Sequence, residues 1–131
     1  MTGLDSNVLV RYLTRDDPIQ AARATEIIER ELSEVSPGFV SIVAMAEMVW
    51  VLDRAYEMRP REIAAAIERM LQSDELVVEH EEEVFAAMVA FEEGRGAFAD
   101  ALIANLGTRA GCAHTLTFDR KAGRLAGFQL A

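Results

Sequence analysis

Three acidic residues stand alone in apolar stretches of the sequence. Asp5 follows Leu4, Glu47 is the only charged residue between Ile42 and Leu52, and Asp100 is the only one between Ala97 and Ala104. A carboxylate that faces an apolar interior must be neutralised, hydrogen-bonded or paired with a cation, because an uncompensated buried charge is strongly unfavourable. A divalent metal ion is the most economical single partner for several such acids.

Each acid also has a local interpretation. In a helix that begins near Phe98, Asp100 lies in the first turn, where free backbone N–H groups and the helix dipole favour an anion. Asp5 could serve turn formation or capping, and Glu47 could lie exposed on a narrow polar strip with Ala44. No basic residue lies one helical turn from Glu47, so any cationic partner must come from elsewhere in the fold.

Short apolar strands alternate with helices from one end of the chain to the other. The sequence predicts strands at 2–5, 39–40, 75–79, 112–118 and 128–130. Helix starts are predicted at Asp17-Pro18, where proline falls just inside the helix, and at Ser41, which can cap the helix that carries Glu47. This alternation predicts a single α/β domain over residues 1–131, with a mostly parallel sheet between helices.

Two more residues could join the acids at one edge of that sheet. Asp119 follows the strand at 112–118, and ligands of open α/β sheets bind at the carboxyl ends of strands. Alternatively, it caps a short helix over 120–125. Arg95, between Gly94 and Gly96, could contact a phosphate or simply be a solvated loop arginine. Oxygen ligands without a His or Cys cluster predict Mg²⁺ or Mn²⁺ rather than zinc.

Charge and composition exclude some classes of protein. With 22 acidic and 13 basic residues and a formal net charge of −9, the chain is not expected to hold nucleic acid through a broad basic surface. A metal-dependent enzyme acting on phosphates stays possible, because the ion supplies local positive charge. The absence of a long apolar run or a secretory leader predicts a cytoplasmic protein without membrane contact. Cys112, Met48 and Trp50 are expected in the core.

Four short segments, in this order, resemble the PIN-domain ribonucleases and in particular the VapC toxins of VapBC toxin–antitoxin systems. They are Leu4-Asp5-Ser6-Asn7-Val8-Leu9, Glu47 in its apolar helix, Phe98-Ala99-Asp100-Ala101-Leu102-Ile103-Ala104 and Thr117-Phe118-Asp119-Arg120-Lys121. Serine stands at position 6, where threonine is common in the family. The resemblance covers essentially the whole chain and implies a PIN-like three-layer α/β/α sandwich.

The resemblance also implies an activity. It assigns the metal site of an Mg²⁺- or Mn²⁺-dependent endoribonuclease to Asp5, Glu47, Asp100 and Asp119. Asn7 and Thr117 would be supporting polar residues. Proteins of this type form homodimers, cleave RNA and are inhibited by a cognate antitoxin that enters the active-site groove.

Two other classes of protein remain open. A phosphoryl-accepting regulatory domain would also be a small acidic α/β protein, but it needs a positioned lysine, and Lys121 is the only lysine in the sequence. A non-catalytic interaction domain of similar fold would bind no metal and cleave no RNA.

Overall fold

Helices separate the strands along most of the chain. The computed structural model describes residues 1–131. The strands are β1 (Thr2–Gly3), β2 (Gly38–Val40), β3 (Leu76–Val78), β4 (Thr115–Thr117) and β5 (Phe128–Leu130). The helices are α1 (Ser6–Thr14), α2 (Pro18–Glu26), α3 (Ile42–Arg54), α4 (Pro60–Gln72), α5 (Glu81–Glu92) and α6 (Phe98–Arg109). A π-helical turn at Ile27–Glu31 continues α2, and a 3₁₀ turn at Ala122–Arg124 precedes β5.

All strand pairs are parallel, which confirms the predicted α/β class. Strands β1, β2 and β3 form one sheet in that order, and β4 pairs with β5 in a second, two-stranded sheet. β5 pairs only with β4, so it is an edge strand. The division into two sheets was not expected.

The predicted helix starts are confirmed by their capping contacts. The Asp17 side chain accepts a hydrogen bond from the backbone N–H of Gln20 at 3.0 Å, with Pro18 as the first residue of α2. The Ser41 hydroxyl accepts one from the N–H of Ala44 at 3.0 Å. These contacts satisfy donors that a helix start leaves free.

Helices α3, α4 and α5 supply most of the buried core. Met45, Met48 and Leu52 of α3 and Ile63 and Ile67 of α4 are fully buried. Their spacing of three and four residues is that of one helix face. The side chains of these two helices therefore carry much of the apolar burial that stabilises the fold.

The expectation that Trp50 and Cys112 are buried is wrong. Since Met45, Met48 and Leu52 face the core, residues on the opposite face of α3 point to solvent, and Trp50 is 60% exposed. Cys112 is an exposed free thiol in the turn that follows α6.

Helix α6 is fixed against α5 and β4. Arg109 donates to the Glu83 carboxylate at 2.9 Å, and the Asn105 amide donates to the Glu83 carbonyl. At Gly107 the helix approaches β4 so closely that a Cβ atom would collide with the Thr115 hydroxyl. α6 and β4 therefore dock as one unit. None of the helices has the length and apolar character that crossing a membrane requires.

Candidate active site

Asp5 follows β1 and occupies the N-cap position of α1. Its backbone is extended, and its side chain makes no capping hydrogen bond to the helix. Asp5 is therefore the N-cap residue by position, but capping by its side chain, one of the local interpretations, is wrong. Its exposed carboxylate is free of the helix backbone and available for another contact.

Ser6 links Asp5 to Glu47. Its hydroxyl oxygen lies 3.2 Å from Asp5 Oδ1 and 2.6 Å from Glu47 Oε1, and the Ser6 residue is only 4% exposed. A hydroxyl carries a single proton, so the shorter contact to Glu47 is the stronger hydrogen bond. Asp5 Oδ1 and Glu47 Oε1 are therefore no farther apart than the sum of their distances to the Ser6 hydroxyl. Two of the four predicted acids, far apart in sequence, thus meet in space.

The expectation that Glu47 points toward an apolar interior is wrong. Glu47 is exposed, because it lies on the solvent face of α3 together with Val43 and Trp50. The alternative interpretation, in which Glu47 lies exposed on the surface of its helix, correctly predicts its exposure. That interpretation does not predict the hydrogen bond from Ser6, which holds the Glu47 carboxylate in place.

An open groove of about 480 Å³ contains Ser6 and Glu47. Asn7, one of the two predicted supporting residues, lies in its wall. The full lining is Ser6, Asn7, Val10, Arg11, Asp16, Glu47, Val51, Ala55 and Tyr56. The groove is large enough to admit part of a polymer such as RNA, and Arg11 is its only basic residue.

Asp100 lies in the first turn of α6, as predicted, and is partly buried. The N-cap position is Ala97, which makes no side-chain capping bond. α6 packs against α3, the helix that carries Glu47. Asp100 therefore belongs to a helix next to the Asp5–Glu47 pair, but no hydrogen bond joins it to that pair.

Asp119 follows β4 and caps the 3₁₀ turn. Its Oδ1 accepts hydrogen bonds from the backbone N–H groups of Lys121 at 2.8 Å and Ala122 at 3.4 Å. The Thr117 hydroxyl accepts one from the N–H of Asp119 at 3.0 Å. The local interpretation of Asp119 as a cap is correct. Thr117 helps to shape this turn, and Oδ2 of Asp119 makes none of these bonds.

The four predicted acids do not form a preassembled metal centre. No group of three or more His, Cys, Asp or Glu side chains is placed so that it could hold a metal ion. The chemistry of the Asp5–Ser6–Glu47 group nevertheless fits Mg²⁺, because all its donors are hard oxygens. Mg²⁺ in proteins is often held by one or two carboxylates together with water and substrate phosphate oxygens. The roles of Asp100 and Asp119 as ligands stay predictions.

Arg95 does not line the groove that contains Glu47. Its guanidinium pairs with Glu93 at 2.8 Å, and both side chains are more than half exposed. It borders a different depression, together with Asn105 and Leu125. Its role in substrate binding stays a prediction.

Arg11 is held in the groove wall by three hydrogen bonds. Its Nε donates to Gln20 at 2.8 Å, and its Nη1 donates to Asp16 at 3.2 Å and to the Tyr56 hydroxyl at 3.0 Å. The Tyr56 hydroxyl in turn donates to Asp16. This bond is the main reason that the pKa of the Asp16 carboxyl lies below its usual value, with smaller contributions from Thr14 and Arg11.

Sequence reasoning missed Ser6, Arg11, Asp16 and Tyr56. A serine directly after an isolated aspartate at a helix start was a usable signal for Ser6. Arg11 lies four residues after Asn7 on the same helix face, which could have placed it beside the site. Nothing in the sequence brings Tyr56 to Arg11, since their contact depends on the packing of α1 against α3.

Comparison with protein families identifies the class. The family model described as PIN domain matches residues 4–127, and the chain belongs to the PIN domain family. PIN domains are generally nuclease domains, and they typically use divalent metal ions. The helices and parallel strands of the structure agree with the three-layer α/β/α fold of this family. A search of curated proteins finds no match.

Proposed function

We propose that this protein is a metal-dependent endoribonuclease and the toxin component of a VapBC-type toxin–antitoxin system. The observation that carries the nuclease proposal is the meeting of Asp5 and Glu47 at the Ser6 hydroxyl within a PIN domain, beside a groove that Ser6 and Glu47 line. The toxin assignment is supported by the sequence segments around Asp5, Asp100 and Asp119. A cytoplasmic location, a homodimer and a cognate antitoxin partner belong to the same proposal.

The protein's own residues would divide the work as follows. Asp5 and Glu47 would hold one Mg²⁺ or Mn²⁺ ion, with Asp100 from α6 and Asp119 from the end of β4 as further ligands. When bound, such an ion lowers the pKa of a coordinated water and stabilises negative charge on the scissile phosphate. Ser6 fixes the Glu47 carboxylate, so that the acid pair is oriented before substrate enters.

The test is cleavage of total cellular RNA by the purified, antitoxin-free protein, followed by mapping of the new ends. We expect cleavage with Mg²⁺ or Mn²⁺ and none with EDTA. Asp5→Asn keeps the size of the side chain but removes its charge, and it should abolish cleavage while the fold persists. Asp74→Asn, at an exposed turn, is the matched control and should cleave like the wild type.

Two results would contradict the proposal. EDTA-sensitive cleavage retained in Asp5→Asn would remove Asp5 from the catalytic role. The absence of both metal binding and RNA cleavage in the wild type would favour a non-catalytic interaction domain instead. Transfer of phosphate to the protein from a small-molecule donor would favour a phosphoryl-accepting domain.

A further inference from the structure

The guanidinium of Arg11 is fixed on one side and free on the other. Its Nε and Nη1 donate to Gln20, Asp16 and Tyr56, whereas Nη2 makes no protein hydrogen bond. No buried side-chain nitrogen or oxygen in this protein lacks a partner, so Nη2 must be accessible to solvent. The Arg11 side chain is 31% exposed overall. Nη2 of this oriented guanidinium is therefore in contact with solvent and not used by the protein.

Arg11 lies in the groove that holds the contact between Ser6 and Glu47. It lines the same groove as Ser6, Asn7 and Glu47. Asn7 and Arg11 also line an adjoining depression of about 200 Å³, which continues toward α2. The other arginine of that depression, Arg23, is paired with Glu26 and Glu31, so its charge is already compensated.

We propose that Arg11 binds a phosphate group of the RNA backbone through Nη2 and so sets the position of the strand in the groove. This inference rests on the proposed ribonuclease function. A guanidinium suits the task because its planar fork of donors matches phosphate oxygens. Since three bonds already restrict the side chain, little further conformational entropy is lost when the phosphate binds.

The charge of Asp16 limits how Arg11 can contribute to the binding of an RNA phosphate. The Arg11–Asp16 pair is nearly neutral, so it attracts RNA weakly at long range. The contact would therefore act mainly through directed hydrogen bonds at short range. The competing explanation is that Arg11 only ties α1 to the start of α2 and offsets the charge of Asp16. The two explanations predict different RNA affinities for a variant that lacks both the Arg11 and the Asp16 charge.

The experiment measures the binding of a short, fluorescently labelled single-stranded RNA by anisotropy, with Ca²⁺ in place of Mg²⁺. The variants are Arg11→Gln, Asp16→Asn and the double variant, which has the net charge of the wild type. Arg59→Gln is the matched control, because Arg59 is an exposed arginine in a simple ion pair with Glu62. Circular dichroism melting verifies that each variant is folded.

We expect Arg11→Gln and the double variant both to bind RNA about tenfold or more weakly, the loss typical of a hydrogen bond to a charged group. Arg59→Gln should bind like the wild type. The loss should appear mainly in KM when cleavage is measured with Mg²⁺. If Arg11→Gln does not fold, Arg11→Lys replaces it, and it should also bind more weakly, since one ammonium group cannot satisfy Asp16, Tyr56 and a phosphate in the same way.

Wild-type affinity in the double variant would overturn the inference, because Arg11 would then act only by offsetting Asp16. Wild-type affinity in folded Arg11→Gln would overturn it as well. Both results leave the ribonuclease proposal intact, provided that the wild type cleaves RNA. If the wild type neither binds nor cleaves RNA, the proposed function itself fails and this inference fails with it.

Discussion

Replacing Ser6 by alanine removes the one group that joins Asp5 to Glu47. The change deletes a hydroxyl that lies 2.6 Å from Glu47 Oε1 and 3.2 Å from Asp5 Oδ1, and it leaves the backbone of α1 in place. Both carboxylates are exposed, so water can replace the lost donor. The cost to stability should therefore be about 1.5 kcal/mol, at the low end for a hydrogen bond to a charged group.

The effect on catalysis should be much larger than the effect on stability. Without the hydroxyl, the Glu47 carboxylate can rotate away from Asp5, and a displacement of about 1 Å at a reacting centre can cost roughly a hundredfold in rate. We therefore expect Ser6→Ala to lower kcat by about two orders of magnitude. Ser6→Thr keeps the hydroxyl and should retain most of the activity.

The assay combines urea unfolding with the kinetics of a fluorescent RNA that the wild type cleaves. Ser41→Ala is the matched control, since it removes the cap of the helix that carries Glu47 and should cost about 1 kcal/mol without touching the carboxylates. Wild-type kcat in Ser6→Ala would refute the reasoning. An equal loss of kcat in Ser41→Ala would attribute the effect to stability instead of geometry.

Three further predictions concern the metal, the groove and the surface. Millimolar Mg²⁺ should raise the melting temperature by binding the folded state at Asp5 and Glu47, and Asp5→Asn should reduce this rise. Tyr56→Phe should raise the pKa of Asp16 toward the usual value of an aspartate, as measured by NMR titration. Because the folded-state pKa of Asp16 is lowered, its stabilising contribution is present above the unfolded pKa and is lost on further acidification, and an unchanged pKa in the variant would contradict this assignment. Acrylamide should quench Trp50, the single tryptophan, efficiently in the folded protein, whereas protection would contradict its exposure.

Features that depend on residues close together in the sequence were predicted correctly. Helix starts at Pro18 and Ile42 follow from capping side chains on the residue just before each helix, and their hydrogen bonds to an N–H three residues further on form in the structure. The placement of Asp100 in the first turn of α6 and the capping of a short turn by Asp119 are local in the same sense. The parallel sheets follow from the alternation of strands and helices.

Features set by long-range packing could not be predicted. The burial of a residue such as Trp50 or Glu47 depends on which face of α3 meets the core, and an almost wholly apolar helix gives little indication of that face. The link from Ser6 to Glu47 spans two different helices. The division into two sheets also depends on which strands pair with one another, which periodicity does not reveal.

The four acids lie in two parts of the molecule, each held together by its own contacts. Ser6 joins Asp5 to Glu47, whereas the close approach at Gly107 fastens the helix of Asp100 to the strand that precedes Asp119. The two parts touch where α3 meets α6. A change in how α3 packs against α6 would therefore shift Asp5 and Glu47 relative to Asp100 and Asp119 without breaking the contacts inside either part.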